Sequence, residues 1–191
     1  MHPAHTVMKK LLIGITGGIA AYKAASVVSA LKQAGHDVQV AMTPAACEFV
    51  TPLTFAALSQ KEVRTDLFPA NPTSDKGQLY PHLYPATEAD LFAVLPATAN
   101  IIGKLACGFG DDIVSASALS LSANCPKLFC PAMNSQMWDN PIVQGNVQTL
   151  EKRDWQRIGP EDGLMACGTS GAGRMSEPAA ILEAIKQALP S

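Results

Sequence analysis

Short apolar runs alternate with segments of helical character along this chain, and that alternation constrains its fold more than any other feature. The main runs are residues 9–15 (KKLLIGI), 38–42, 91–95 and 128–130. Continuous apolar runs of this length are typical of strands that are buried on both faces of a sheet. Because such strands alternate with helices, we predict an α/β fold with a parallel sheet and helices on both faces.

Cap and turn residues locate the helices. Gly35 should follow the end of a helix at 19–34, while Thr43-Pro44 and Thr51-Pro52 should each begin a short one. Further helices are predicted at 96–107, at 112–122, from 140–141 onward, and from a cap at Ser176 to about 189. Short strands are predicted at Val63 and at 155–158, and a glycine-rich loop at 159–174.

Composition bounds the class of protein. The 191 residues are 48% apolar and 16% charged, which suits one globular domain. We place this domain at 8–190, after a loose tail at 1–7.

A net charge of −2 gives no indication of nucleic acid binding. No apolar run is long enough for a membrane span, and the start lacks a secretory signal. Five cysteines without a CxxC pair argue against disulfides and a metal site, so we expect a cytoplasmic protein.

The turn after the first predicted strand, Thr16-Gly17-Gly18, comes directly before a helix. Backbone N–H groups at a helix N-terminus form a phosphate site by geometry and dipole. The turn is not GxGxxG and is not followed by a Walker lysine, so both of those nucleotide signatures are absent. A glycine pair before a helix is also often only a turn, and both interpretations stay open.

Polar side chains follow two other predicted strands, each of which we expect to end at a proline, Pro96 or Pro131. Thr98 and Asn100 follow the first, and Asn134 follows the second. Ligands of open α/β sheets bind outside the carboxyl ends of the strands, so these side chains could hydrogen-bond a ligand. Capping a helix is the alternative role for each of them.

Two further residues carry titratable side chains. His82 precedes the strand at 91–95, whereas the other histidines lie in the tail or a turn; a lone histidine is usually a surface or satisfied residue. Cys167 lies with Arg174 in GLMACGTSGAGRM (163–175), which has the composition of a lid. The alternative for Cys167 is a buried, inert thiol, which we also expect of the other four cysteines.

Several stretches, taken together and in this order, resemble the flavin-containing cysteine decarboxylases. They are GGIAAYK (17–23), His82 ahead of a strand, PATANIIGKLACGFGDD (96–112), PAMNSQMW (131–138) and GLMACGTSGAGRM (163–175). The resemblance runs from about 9 to 189 and is closest to the enzymes that decarboxylate phosphopantothenoylcysteine in coenzyme A synthesis. It implies a flavodoxin-like Rossmann three-layer sandwich, assembled as homotrimers with FMN at subunit contacts.

The resemblance also implies roles for individual residues. The FMN phosphate would be held by Gly17, Gly18, Ile19 and Ala20. Thr43 would lie near the flavin, and its ring and ribityl chain would be held by Thr98, Ala99 and Asn100. Met133 and Asn134 would bind the substrate carboxylate. His82 would be the catalytic base or proton carrier, and Cys167 would be the acid of the proton or hydride relay.

The chain departs from the family at Thr87, where many relatives carry an arginine or lysine that is thought to meet the substrate phosphate. Arg174 and Lys104 are the candidates to replace that anchor. Some relatives are fused to a ligase domain, which we do not expect in this chain.

The implied reaction begins with hydride transfer from the carbon bearing sulfur to FMN, which gives a thioaldehyde. Loss of carbon dioxide then gives an enethiolate, which is reduced again with Cys167 as proton donor. One alternative is an oxidative decarboxylase of a peptide's C-terminal cysteine, which needs no second reduction; the Cys167 loop favours the first interpretation. Another is a regulatory flavoprotein without catalysis, and the presence of His82, Asn134 and Cys167 in one chain argues against it.

Overall fold

A five-stranded parallel sheet forms the centre of the computed structural model, which describes residues 7–70, 73–164, 168 and 170–190. Its strands are β1 (Lys10–Ile15), β2 (Asp37–Met42), β3 (Leu91–Ala97), β4 (Lys127–Pro131) and β5 (Trp155–Arg157). They lie in the order β2-β1-β3-β4-β5, which is the flavodoxin-like order. The predicted fold class is therefore confirmed.

Helices cover both faces of the sheet. They are α1 (Ala21–Gln33), α2 (Pro44–Cys47), α3 (Pro52–Ser59), α4 (Lys76–Leu79), α5 (Ala99–Cys107), α6 (Ile113–Leu119), α7 (Ser135–Trp138), α8 (Pro141–Glu151) and α9 (Pro178–Ala188), with a 3₁₀ turn at Ala86–Glu88. Successive side chains of a strand point to opposite faces. Leu11 and Ile13 of β1 accordingly pack with α1, α3 and α9, whereas Leu12 packs with α5, α6 and α8. None of the described helices combines the length and the apolar composition of a membrane span.

The helix signals in the sequence were mostly confirmed. Gly35 follows α1 with a φ of +89°, a conformation that suits glycine. Thr43 and Thr51 are the N-caps of α2 and α3, each with proline in the first turn. The predicted cap at Ser176 was wrong: α9 has Glu177 as its N-cap, because Pro178 with its fixed φ suits the first helical position.

Two strand predictions were wrong. Pro96 does not end β3, which continues to Ala97. The pairing of β3 with β4 shifts register between Val94 and Ala97, so Pro96 lies where the ladder is irregular and its missing N–H matters least. The strand predicted at Val63 reduces to a single bridge between Ala41 and Arg64.

The predicted glycine-rich loop is also wrong in its described part, which forms an antiparallel pair, β6 (Glu161–Leu164) and β7 (Ser170–Arg174). The φ angles of Gly171 and Gly173 are +151° and +142°, which L side chains rarely adopt. These strands lack alternating apolar residues, so they gave no strand signal in the sequence.

Candidate functional site

A cavity of about 990 Å³ lies at the carboxyl ends of β1, β3 and β4. β1 and β3 are neighbours, but the chain leaves β1 toward α1 on one face and leaves β3 toward α5 on the other. This is the switch point at which open α/β sheets bind ligands. Eleven residues predicted for the site line the cavity, namely Gly17, Gly18, Ile19, Ala20, Thr43, Thr98, Ala99, Asn100, Met133, Asn134 and Arg174.

The N-terminus of α1 has the features of an anion site. Its N-cap is Ala20, no side chain caps it, and its first turn contains no acidic residue. The N–H groups of Ala21, Tyr22 and Lys23 already donate to the carbonyl oxygens of Gly18, Ile19 and Ala20. An anion would therefore be bound by the N–H groups of the preceding turn, next to the partial positive charge of the helix end. A Cβ on Gly17 would lie 2.4 Å from the Cβ of Ala45 and 2.8 Å from its carbonyl carbon, so this close approach requires glycine. The residues present therefore fit the phosphate group of FMN.

Thr16 joins the first turn to the end of β3, a function that the sequence analysis missed. It lines the cavity and is 2% exposed. Its Oγ1 donates to the carbonyl oxygen of Pro96 at 2.7 Å and accepts from the N–H of Thr98 at 3.3 Å. A hydroxyl residue directly before the glycine pair was the available signal, since it stands at the end of a buried strand.

Thr98 and Asn134 each cap a helix and line the cavity. The Oγ1 of Thr98 accepts from the N–H of Ile101 at 3.3 Å, and the Oδ1 of Asn134 accepts from the N–H of Gln136 at 2.8 Å. The capping and site interpretations left open by the sequence are therefore compatible. Capping fixes the orientation of both side chains at the cavity edge.

Lys104, Asp111 and Asp112 form a second group that the sequence analysis did not bring together. The Nζ of Lys104 lies 2.7 Å from a carboxylate oxygen of each aspartate. Burial lowers the pKa of Lys104, but hydrogen bonds to the two carboxylates outweigh burial and hold that pKa above its ordinary value. Asp112 also accepts from the N–H groups of Val114 and Ser115 at the start of α6. Lys104 therefore stays protonated and joins α5 to α6 along one wall.

A second part of the lining contains a chain of ion pairs. Arg174 lies 3.1 Å from Glu161 and 3.6 Å from Glu177, and Lys23 lies 2.9 Å from the same Glu177. The hydrogen bond and charge of Lys23 hold the pKa of Glu177 below its ordinary value. The N–H of Met133 donates to the carbonyl oxygen of Gly173 at 3.0 Å, which attaches β7 to the turn after β4.

His82 is not among the residues that line this cavity. It lies between α4 and the 3₁₀ turn, partly buried, and its Nδ1 is buried without a hydrogen-bond partner in the described part of the chain. A single chain therefore does not bring His82 together with the other predicted site residues. Cys167 lies outside the described residues, so its role stays a prediction.

The other cysteines differ from one another. Cys125 and Cys130 are buried, and burial raises the pKa of both thiols. Cys107 is exposed, so the prediction that it is buried was wrong; it ends α5 beside solvent. In the described ranges, no group of three or more His, Cys, Asp or Glu side chains could hold a metal ion.

Comparison with known proteins identifies the protein family. A model of the Flavoprotein family matches residues 1–190, and the chain belongs to that family.

Two relatives make the resemblance more specific. A probable phosphopantothenoylcysteine decarboxylase of Streptococcus mutans is 40% identical over 181 residues, covering 95% of this chain and 99% of the relative. The coenzyme A biosynthesis bifunctional protein CoaBC of Bacillus subtilis is 45% identical over 92% of this chain, which spans only 42% of that relative.

Solved structures agree with these relatives. A cysteine-to-serine variant of a PPC decarboxylase, in complex with pantothenoylaminoethenethiol, superposes with a TM-score of 0.83 at 25% identity and covers 94% of this chain and 97% of its own. The FMN-dependent cysteine decarboxylase SpaF gives a TM-score of 0.78 at 28% identity over 94% of this chain and 97% of its own.

Proposed function

We propose that the chain catalyses the FMN-dependent decarboxylation of 4'-phosphopantothenoylcysteine to 4'-phosphopantetheine in coenzyme A biosynthesis, in the cytoplasm. One observation carries the proposal: a ligand-sized cavity lies at the sheet's switch point, in a chain that spans nearly the whole of the Streptococcus mutans decarboxylase.

The residues that would hold FMN line the strand-end side of the cavity. Residues 17–20 would bind its phosphate at the N-terminus of α1, and Thr43, Thr98, Ala99 and Asn100 would contact the rest of the cofactor. When bound, FMN supplies the reversible two-electron oxidation of the carbon that bears sulfur.

The substrate lies between the turn after β4 and the β6–β7 pair. Asn134 is fixed by its hydrogen bond with Gln136, and its amide donates to the cysteine carboxylate. Met133 and Arg174 line the same end of the cavity. His82 handles the proton lost during oxidation, and Cys167 returns a proton to carbon.

A homotrimer accounts for the position of His82. Since His82 does not line the cavity of its own chain, it would act in the cavity of a neighbouring subunit. Apolar side chains that line the cavity are exposed, with Ile19 at 58%, Tyr22 at 59% and Met137 at 48%. A second subunit would cover such a patch. Light scattering should therefore report a trimer rather than a monomer.

Anaerobic turnover tests the reaction. The FMN-loaded protein should convert phosphopantothenoylcysteine, over many cycles, to a saturated thiol that is lighter by one carbon dioxide, as measured by mass spectrometry and carbon dioxide release. An unsaturated thiol, with the flavin left reduced after one cycle, would instead indicate the oxidative reaction on a cysteine terminus.

Complementation tests the role of His82 across subunits. His82→Asn and Gly17→Ala should each be inactive alone, because the first lacks the proton carrier and the second lacks bound FMN. Mixed trimers, unfolded and refolded together, should regain part of the activity, since some sites then combine an intact FMN cavity with a neighbour's His82. No recovery in trimers shown to be mixed would mean that His82 does not act across the contact.

A further inference from the structure

The single turn of α7 carries the side chain that is proposed to bind the substrate carboxylate. Asn134 is its N-cap and accepts a hydrogen bond from the N–H of Gln136 at 2.8 Å. A four-residue helix has too few internal hydrogen bonds to be stable by itself. The position of Asn134 therefore depends on the contacts that hold α7 against the rest of the chain.

Two polar contacts hold the far end of α7, at Trp138. The Nε2 of Gln144, in α8, donates to the carbonyl oxygen of Trp138 at 2.6 Å. The guanidinium carbon of Arg157, in β5, lies over the Trp138 ring at 5.7 Å from its centroid, which is within the range of a cation–π interaction. Trp138 also packs, partly buried, against the apolar core below α5, α6 and α8.

The same guanidinium reaches the start of the β6–β7 pair. The Nη1 of Arg157 donates to the carbonyl oxygen of Gly159 at 2.6 Å, two residues before β6 begins at Glu161. Its Nε donates to the Oε1 of Glu151, the last residue of α8, at 2.7 Å. Arg157 thus joins three elements at once, which the planar fork of arginine allows and the point charge of lysine does not.

The two elements that Arg157 joins also meet at the cavity. The N–H of Met133, in the turn before α7, donates to the carbonyl oxygen of Gly173 in β7 at 3.0 Å. Asn134 follows Met133 directly, and Cys167, the predicted acid, lies between β6 and β7 in the sequence. The relative position of α7 and the β6–β7 pair therefore decides whether both residues can act on one substrate.

Resting on the proposed function, we propose that Arg157 is a positioning residue of this reaction. Because it contacts both Trp138 and Gly159, it fixes α7 relative to the β6–β7 pair. Arg157 is not among the residues that line the cavity, so it acts only through these two elements.

Arg157→Met tests the proposal, since it keeps the length of the side chain and removes the contacts of the guanidinium. In anaerobic turnover of the FMN-loaded variant, kcat should fall about tenfold, because small displacements of reacting groups are costly. The variant should also form at least about threefold fewer saturated thiols for each unsaturated one, since an enethiolate that is protonated late escapes and leaves its flavin reduced. Loss of stability alone would not change this ratio, because a ratio of products does not depend on how much of the protein is folded.

Arg153→Met is the matched control. Arg153 is also exposed, and its Nη1 donates to the carbonyl oxygen of Ala106 at 2.9 Å, at the end of α5. In the described ranges it forms no hydrogen bond or ion pair with α7 or the β6–β7 pair, so the product ratio should stay at the wild-type value. Equal shifts in the two variants, or an unchanged ratio in Arg157→Met, would overturn the proposal.

Arg157→Lys is a milder second variant, which keeps the positive charge without the fork. It should shift the product ratio in the same direction as Arg157→Met. A wild-type ratio in Arg157→Lys would show that charge alone is sufficient, which contradicts the role of the guanidinium contacts.

Amide hydrogen exchange separates this proposal from the proposed function. The exchange rate of the Met133 N–H reports how firmly β7 is attached to the turn after β4. Arg157→Met should raise this rate by about tenfold and Arg153→Met should leave it unchanged. An unchanged rate in Arg157→Met would overturn the proposal. If the wild-type protein does not convert phosphopantothenoylcysteine, the proposed function is refuted, and the exchange rate alone decides whether Arg157 holds the two elements together.

Discussion

Two walls of the cavity are built in different ways. The strand-end wall consists of residues 16–20 with 98–100, and it is held by buried contacts: Thr16 is 2% exposed, and Gly17 packs against the backbone of Ala45. The hairpin wall consists of β6 and β7 with Glu177, and it is held by ion pairs whose side chains are 36–50% exposed.

The two kinds of contact differ in energy. Changes in close packing typically cost about 1–3 kcal/mol, whereas exposed ion pairs contribute about 0–1 kcal/mol. We therefore expect the strand-end wall to be the more rigid of the two, while the hairpin wall can adjust at small cost. Changes that disturb the close packing of the first wall should weaken FMN binding or lower stability, and changes to the second should alter the pH dependence.

Breaking the strand-end wall at Gly17 should have the largest effect. Gly17→Ala places a Cβ 2.8 Å from the carbonyl carbon of Ala45, so the turn must move and the phosphate site is lost. We expect FMN affinity to fall by about 100-fold or more, since several charge-assisted hydrogen bonds are lost together. Fluorescence titration with FMN measures this.

Gly145→Ala is the control for that change. Gly145 lies in α8, outside the cavity lining, and its added Cβ would meet no atom of the described residues within 4 Å. FMN affinity should change by less than about fivefold. Equal losses in the two variants would mean that the close approach at Gly17 does not position the phosphate site.

Removing the hydroxyl of Thr16 should have an intermediate effect. Thr16→Val leaves the carbonyl of Pro96 and the N–H of Thr98 without the partner that joins them. We expect a loss of about 1–3 kcal/mol in the free energy of unfolding, measured by urea denaturation without FMN. Thr16→Ser keeps the hydroxyl and should recover most of that loss; no recovery would assign the effect to packing of the methyl group.

A change in the hairpin wall should have the smallest effect. Lys23 holds the pKa of Glu177 below 4.5, so the pair's contribution is present above pH 4.5 and is lost as the pH falls through the folded-state pKa. Lys23→Met should bring the pKa of Glu177 back toward its ordinary value. The free energy of unfolding should then depend less on pH in the acid range where Glu177 titrates. NMR titration of the Glu177 carboxyl group measures it, and an unchanged pKa in the variant would contradict the assignment to Lys23.

The two walls also differ in how much of them the sequence could predict. The turn at Gly17-Gly18 and the positions of Thr98 and Asn100 after a buried strand were expected from the sequence, because apolar runs, glycines and caps are local signals and parallel strands end at one edge of the sheet. All four residues line the cavity, and their roles stay predictions. The β6–β7 pair gave no periodic signal, since its strands are short, glycine-rich and largely polar. The Lys104 cluster and the Lys23–Glu177 pair join residues from different elements, which no local pattern reveals. His82 was singled out by its place before a strand and by resemblance, but its absence from the lining of its own chain's cavity depends on tertiary structure.

The relative affinities of FMN and riboflavin test the central claim most directly, which is that the strand-end wall is a phosphate site. The two ligands differ only in the phosphate, so their Kd ratio isolates the contribution of the α1 N-terminus. The account predicts that the wild-type protein binds FMN about 100-fold or more tightly than riboflavin, and that Gly17→Ala reduces this ratio toward unity. Equal affinity for the two flavins in the wild-type protein would contradict the account, because the phosphate would then have no binding site in the cavity.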